Sequence, residues 1–266
     1  MTRLPLAWRV LSYASANLVL AFLVLPIFAV VPASFNRSSF IRLPPERYAM
    51  RWYDAFLADP EWMSTLLTSL KVGVLATIVA VLLGTMAAIA LQSLPPRRRA
   101  ALLALLLAPM IVPVIVTAVA LYWMAIELHV SGTLATLVAS QALLGLPVVV
   151  LNVGISLRTL DPSWLRAAAG LGAGPLRIFR TVMLPNIVPG LIGGTVFAFL
   201  SSFDEVIVAS FIAGLQNKTL PVKMWEVIRV EFTPIVAVAS VFMIAVALVL
   251  FAAARIAGTR QPGEVR

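Results

Sequence analysis

Two adjacent carboxylates, Asp204 and Glu205, interrupt a long apolar run and are the side chains best suited to chemistry. Carboxylates inside a membrane are costly and usually face a protein interior or a watery cavity. Counted from Gly190 at helical rise, Asp204 lies roughly 21 Å along its run, past the middle of a ~30 Å hydrocarbon core. One reading makes the pair a waypoint for a cationic solute; the other makes it a structural ion pair with a neighbouring helix or subunit. Neighbouring helical residues point about 100° apart, so one carboxylate can face a cavity while the other pairs elsewhere. On continuous helix, Ser201 and Ser202 share a polar stripe with Glu205, and Phe203 serves as a gate or as packing. Tyr122 and Trp123 offer a cation–π wall for an amine, or else an aromatic belt at a membrane interface.

Other chemistries are excluded. The chain has no cysteine and a single histidine, His129, read as a loop residue. No thiolate nucleophile, disulfide framework or multi-histidine metal site is therefore available, and no residue is assigned a catalytic role. Gly214 to Thr219 lacks the glycine before Lys218 and the preceding strand that a phosphate-binding loop needs. Gly170, Gly172 and Gly174 have the wrong spacing for a dinucleotide fingerprint. Energy for any transport must then come from a partner or from an ion gradient, with no cofactor in this chain.

The elements that position these residues are membrane helices. Of the 266 residues, 61% are hydrophobic and 12% charged, with a mean hydropathy of +1.01. A soluble domain is typically about half apolar and a quarter charged. Apolar runs of about 20 residues predict six spans, near residues 11–33, 63–91, 100–126, 133–156, 187–212 and 235–254. The first exceeds a signal-peptide core and lacks a clear cleavage site. Pro109 and Pro113 predict a kink in the third. Gly190 and Gly194 suit close helix packing in the fifth. Short amphiphilic helices are expected around residues 51–56 and within 213–234. The fold class is all-α, a polytopic membrane protein in one transmembrane domain over 1–266. Its parts are a first helix and loop (1–62), core helices (63–256) and a tail (257–266).

The net charge of +9 reads as loop charge rather than as a nucleic-acid footprint, because Lys and Arg collect on the cytoplasmic side of membrane proteins. With both termini inside, twelve basic residues lie there: Arg3, Arg9, Arg97, Arg98, Arg99, Arg158, Arg166, Arg177, Arg180, Arg255, Arg260 and Arg266. Seven lie opposite: Arg37, Arg42, Arg47, Arg51, Lys218, Lys223 and Arg229. Lys71 lies near the end of its span, where it can snorkel. Both termini and the polar segment 157–186 are thus expected in the cytoplasm.

That segment opens with Asp161-Pro162-Ser163, a helix-start signal. It continues through the small-residue face Ala167-Ala168-Ala169, then Gly170, Gly172 and Gly174, whose turn predicts positive φ. Pro175 opens a second helix with Ile178, Val182 and Met183 at helical spacing. Ala167-Ala168, Gly172 and Val182-Met183-Leu184-Pro185 together resemble the signature of the integral-membrane subunits of bacterial binding-protein-dependent ABC importers. Arg166 replaces that signature's usual Glu, Gly170 a frequent Asp, and Val182 an Ile.

The resemblance implies a type I importer permease fold with a coupling helix that docks into the ATP-hydrolysing subunit. Arg166, Ala167, Ala168, Ala169, Gly172, Ala173, Leu184 and Pro185 would form that contact. It also implies a second permease subunit, two ATPase subunits carrying ATP and Mg, and a periplasmic binding protein, all in the inner membrane system. Val31-Pro32-Ala33-Ser34-Phe35-Asn36, Met50-Arg51-Trp52-Tyr53, Ser202-Phe203-Asp204-Glu205-Val206 and Thr219-Leu220-Pro221 with Met224-Trp225 are similar to the second permease of the spermidine/putrescine branch. Import of a small cationic solute by alternating access follows as the expectation. Relatives of that kind are also associated with opines, aminoalkylphosphonates and ferric iron. An ion-coupled secondary transporter is the rival; it expects inverted repeats and broken helices at the midplane.

Overall fold

The computed structural model describes residues 6–231 and 233–259, and side chains from residue 8 onward. The expected basic positions Arg3, Arg260 and Arg266 lie outside the described residues, as does most of the 257–266 tail. The described chain is all-helical. In order it forms α1 (Leu6–Ser34), α2 (Arg51–Ala58), α3 (Pro60–Gln92), α4 (Pro96–Ile111), α5 (Val114–Glu127), α6 (Leu134–Thr159), α7 (Pro162–Gly170) and α8 (Pro175–Ile178). A π turn at Phe179–Met183 joins α8 to α9 (Leu184–Phe203), followed by α10 (Ile207–Ile212), α11 (Leu220–Val230) and α12 (Pro234–Thr259). Five helical stretches are long and apolar enough to cross a membrane, and the bent pair α4 and α5 makes a sixth if counted as one span. The short helices expected near 51–56 and within 213–234 are α2 and α11.

Two expected spans are broken, each for a local reason. The third is no gentle kink: α4 and α5 meet at 99°. Pro113 has no N–H to continue the ladder and forces Val112 into extended backbone, at ψ 135°, as residues before proline prefer. The fifth span stops at Phe203 and resumes at Ile207, leaving Asp204, Glu205 and Val206 outside regular helix.

The chain packs as two compact units. One comprises the chain up to Met63 with Glu226–Ala245. Its aromatic cluster joins Phe35, Tyr53, Phe56, Trp62 and Phe242, with Phe56 stacked on Phe242 at 4.9 Å between ring centroids. The Tyr53 hydroxyl meets Ser34 Oγ at 2.8 Å, so the polar end of each group is satisfied while its body stays apolar. The loop after α1 is tied by Asn36 Nδ2 donating to the Arg42 carbonyl at 2.8 Å and by an Arg42–Glu46 ion pair.

The other unit, Ser64–Trp225 with the chain from Val246 on, holds the candidate site. Its centre is the antiparallel pair α6 and α9. An added Cβ at Gly190 would stand 2.5 Å from both the Asn152 carbonyl oxygen and Ser156 Oγ. One at Gly194 would stand 3.2 Å from Val149 Cα, and one at Gly145 would stand 3.2 Å from Ala198 Cβ. Lipid tails are as apolar as leucine, so membrane helices associate by close packing, which small residues permit. The expected packing role of Gly190 and Gly194 is what the structure shows. Ala76 and Ala80 of α3 complete this small-residue core. A second buried cluster joins Ala118 and Ala125 of α5, Leu137 of α6 and Val208, Ala209 and Ile212 of α10.

Candidate functional site

Of the residues between Phe203 and Ile207, Glu205 has a visible reason to leave the helix. Glu205 turns its carboxylate onto the start of α10, where Oε1 accepts from Val208 N at 2.7 Å and Oε2 from Ala209 N at 2.8 Å. These two N–H groups begin a helix and have no partner within it, so the carboxylate satisfies donors that the apolar surroundings leave dry. Gln141 Nε2, from α6, adds a third donor to Oε2 at 2.9 Å. Glu205 is therefore a cap and an anchor, held by three hydrogen bonds.

Asp204 differs. It is exposed, and among the described residues its carboxylate has no hydrogen bond or ion pair with another residue. The expected stripe of Ser201, Ser202 and Glu205 on one helical face does not form, because the helix ends before Glu205. Ser202 is buried with its Oγ unpartnered, and the buried Gln141 has its Oε1 unpartnered; Ser201 is half-buried. Phe203 is 2% exposed and stacks on Phe199 at 5.2 Å. The Phe199 ring in turn approaches Gly73 of α3 so closely that a Cβ there would fall 2.9 Å from it. Tyr122 lies edge-on to Phe211 of α10, at 6.3 Å between ring centroids. Trp123 is 65% exposed and makes no such ring contact among the described residues.

Gln141 is the residue that sequence reasoning missed. A charge survey passes over an uncharged amide. The available signal was the polar pair Ser140-Gln141 within the apolar α6, both 3% exposed or less.

The second candidate surface is the segment from Asp161 to Pro185. Asp161 Oδ1 accepts from Ser163 N at 2.8 Å, capping α7 as its sequence predicts. That backbone bond holds the Asp161 carboxyl below the usual carboxylate range, helped by the Ser163 side chain and the nearby Arg166 charge. At the other end, Ala173 N bonds the Ala168 carbonyl and Gly172 N the Ala169 carbonyl. This pattern closes a helix around one left-handed residue. Of the three turn glycines only Gly172 has positive φ, at 78°; Gly170 is helical and Gly174 sits at φ −69°. Arg166, Ala167, Ala169 and Gly172 are exposed, while Ala168 and Ala173 are half-buried. Trp164, Leu171 and Leu176 add exposed apolar bulk on the same segment, Leu171 being 89% exposed.

Leu184 and Pro185 stand apart from that turn, at the head of α9. The π turn precedes them because Pro185 offers no N–H and its ring would crowd the preceding turn. Leu184 N reaches back to the Phe179 carbonyl, and Asn186 Nδ2 donates to the Val182 carbonyl at 2.6 Å.

Long apolar helices packed through glycines, a capped and exposed helix–turn insert, and a break in an apolar helix describe a multi-pass helical membrane protein. Residues 80–261 match the family described as binding-protein-dependent transport system inner membrane component, and the chain belongs to that family. Such a component works with a separate binding protein and ATPase subunits. The chain is 28% identical to the spermidine/putrescine transport system permease protein PotC of Escherichia coli (strain K12), over 93% of this chain and 94% of that one. It is 32% identical to the putrescine transport system permease protein PotI of the same strain, over 95% and 92%. The molybdenum transport system permease protein ModB of Mycobacterium bovis is 29% identical over 70% of this chain and 78% of that one. Among solved structures, a bacterial ABC transporter for the acidic polysaccharide alginate superposes with a TM-score of 0.69 at 13% identity, covering 97% of this chain and 99% of that one. That likeness shows the fold.

Proposed function

We propose that the chain, acting as one permease domain, imports a small cationic solute of the polyamine class by alternating access. It would pair with a second permease and two ATPase subunits, with both termini and the α7–α8 segment in the cytoplasm. The observation that carries the cationic reading is the free carboxylate of Asp204 at the α9–α10 break. An unpaired negative charge at that depth is stabilised by a passing cation. Ser201, Tyr122 and Trp123 would line the same route, with Glu205 and Phe203 holding its wall. Likeness to PotC and PotI over more than nine-tenths of the chain supports the solute class.

The α7 surface, with Arg166, the alanines 167–169, Gly172 and Ala173, is assigned to the ATPase contact. Leu184 and Pro185 would pass its motion into α9 as a rigid body. The experiment is uptake by proteoliposomes holding the complete transporter, with ATP on the ATPase side and its binding protein opposite. Labelled putrescine should accumulate, and Asp204→Asn should slow it. Accumulation of molybdate in place of putrescine would overturn the cationic reading in favour of another small solute, as the ModB likeness allows. Uptake without ATP, driven by an ion gradient, would instead support a secondary transporter. Because the chain has no cysteine, single cysteines at residues 97 and 172 would report the side. Labelling from the periplasm would overturn the assigned orientation.

A further inference from the structure

A cavity of about 260 Å³ lies where α3 ends, α4 begins and α6 ends. Its walls are apolar, from Leu91, Leu103, Leu151 and Ile155, and the same cavity is lined by Arg99 and Arg158. Gly154 forms part of its wall, and a Cβ added there would meet no atom within 4 Å. The space beside it is open.

The two arginines have no internal counter-charge. Neither forms an ion pair among the described residues. The helices that form the cavity supply no carboxylate nearby: α4 and α6 contain none, and in α3 the only one is Glu61, at the opposite end. The nearest acid in sequence, Asp161, commits its Oδ1 to Ser163 N. Arg97 and Arg98 extend the positive charge at the same helix ends. An apolar slot beside unpaired guanidinium groups at a helix-end boundary matches one ligand chemistry: a fatty chain joined to an anionic phosphate.

We propose that this groove binds an anionic phospholipid of the inner membrane, one acyl chain lying along Leu103, Leu151 and Ile155 with its phosphate held by Arg99 and Arg158. The lipid wedges α4 against α6, and so fixes the end of the bent α4–α5 pair. This assignment is independent of the solute and of which face is cytoplasmic.

Native mass spectrometry of the complete transporter, released from nanodiscs of equal phosphatidylglycerol and phosphatidylcholine, tests it. Wild type should retain phosphatidylglycerol in preference. Arg99→Gln with Arg158→Gln should reduce that preference by an order of magnitude or more, each basic residue near a lipid surface being worth roughly fivefold. Gly154→Phe should fill the slot and displace lipid of either headgroup while leaving both arginines in place. Glycerol 3-phosphate, the headgroup chemistry without a chain, should not compete. Equal retention by wild type and both variants would overturn the proposal. So would effective competition by glycerol 3-phosphate, which would mean a free-phosphate site. Retention by the isolated chain but not by the assembled transporter would also overturn it, since the second permease would then cover the groove. Arg158 is exposed and Arg99 half-buried, and a Cβ at Gly154 meets open space, so each variant should fold, which its thermal midpoint checks.

Discussion

Gln141 Nε2 donates to Glu205 Oε2 at 2.9 Å, tying the middle of the fifth span to a residue of α6 that lies 64 positions earlier. With two backbone N–H donors already on the same carboxylate, this bond assigns unlike tasks to the adjacent acids. Glu205 builds the break, and Asp204 is left available within it.

Glu205→Ala and Asp204→Asn should therefore separate stability from transport. Glu205→Ala strands the N–H groups of Val208 and Ala209 in an apolar setting, at a cost of about 1–3 kcal/mol. A lower thermal midpoint of the purified transporter should report it. Asp204→Asn removes no partner and should leave that midpoint within about 1 °C while uptake of a cationic solute falls. If Asp204→Asn melts early and transports normally, Asp204 is a structural residue.

Gln141→Leu tests the other half of the bond. It removes one donor to a carboxylate that keeps two others, so the expected loss is smaller, about 1 kcal/mol. Combined with Glu205→Ala, the two losses should fall short of their sum, because they share one interaction. Strict additivity in thermal or chemical unfolding would show that the bond contributes nothing.

Gly190→Ala should destabilise strongly for its size. Its new methyl would meet the Asn152 carbonyl and Ser156 Oγ at 2.5 Å, so α6 and α9 must separate, costing about 1–3 kcal/mol. Gly170→Ala is the control: it is helical with open space at the Cβ position, and alanine should hold or raise stability there. Matching midpoints for the two variants would contradict the close helix approach.

Gly172→Trp should abolish ATP-coupled uptake while the protein still inserts. The residue holds φ 78°, where a side chain costs on the order of 1 kcal/mol, and its exposed site adjoins the surface assigned to the ATPase. Wild-type uptake with normal ATPase stimulation would remove that assignment.

Acid should loosen α7 by way of its cap. The Asp161 carboxyl is held below its ordinary value when folded. Its contribution is thus present above the ordinary carboxylate pKa and is lost as pH falls through the lowered folded value. Amide exchange at Ser163 and Trp164 should accelerate in that acid range, and Asp161→Asn should flatten the dependence.

The sequence by itself determined the membrane class, the places where long helices run, the capped helix–glycine turn between α6 and α8, and Gly190 and Gly194 as a close-packing face, though not that α6 is what packs there. These follow from local rules: runs long enough to cross lipid, Asp161-Pro162 to start a helix, and small residues four apart to let helices touch. Even the sharp bend at Val112-Pro113 has a local cause, although its 99° angle exceeds the kink that proline alone suggests. Tertiary structure alone decided that Gln141 holds Glu205 at the break in the fifth span, and that Arg99 and Arg158 line the same apolar slot. Each depends on a partner distant in the chain. An uncharged amide such as Gln141 carries no hydropathy or charge signal until folding places it against the carboxylate it satisfies.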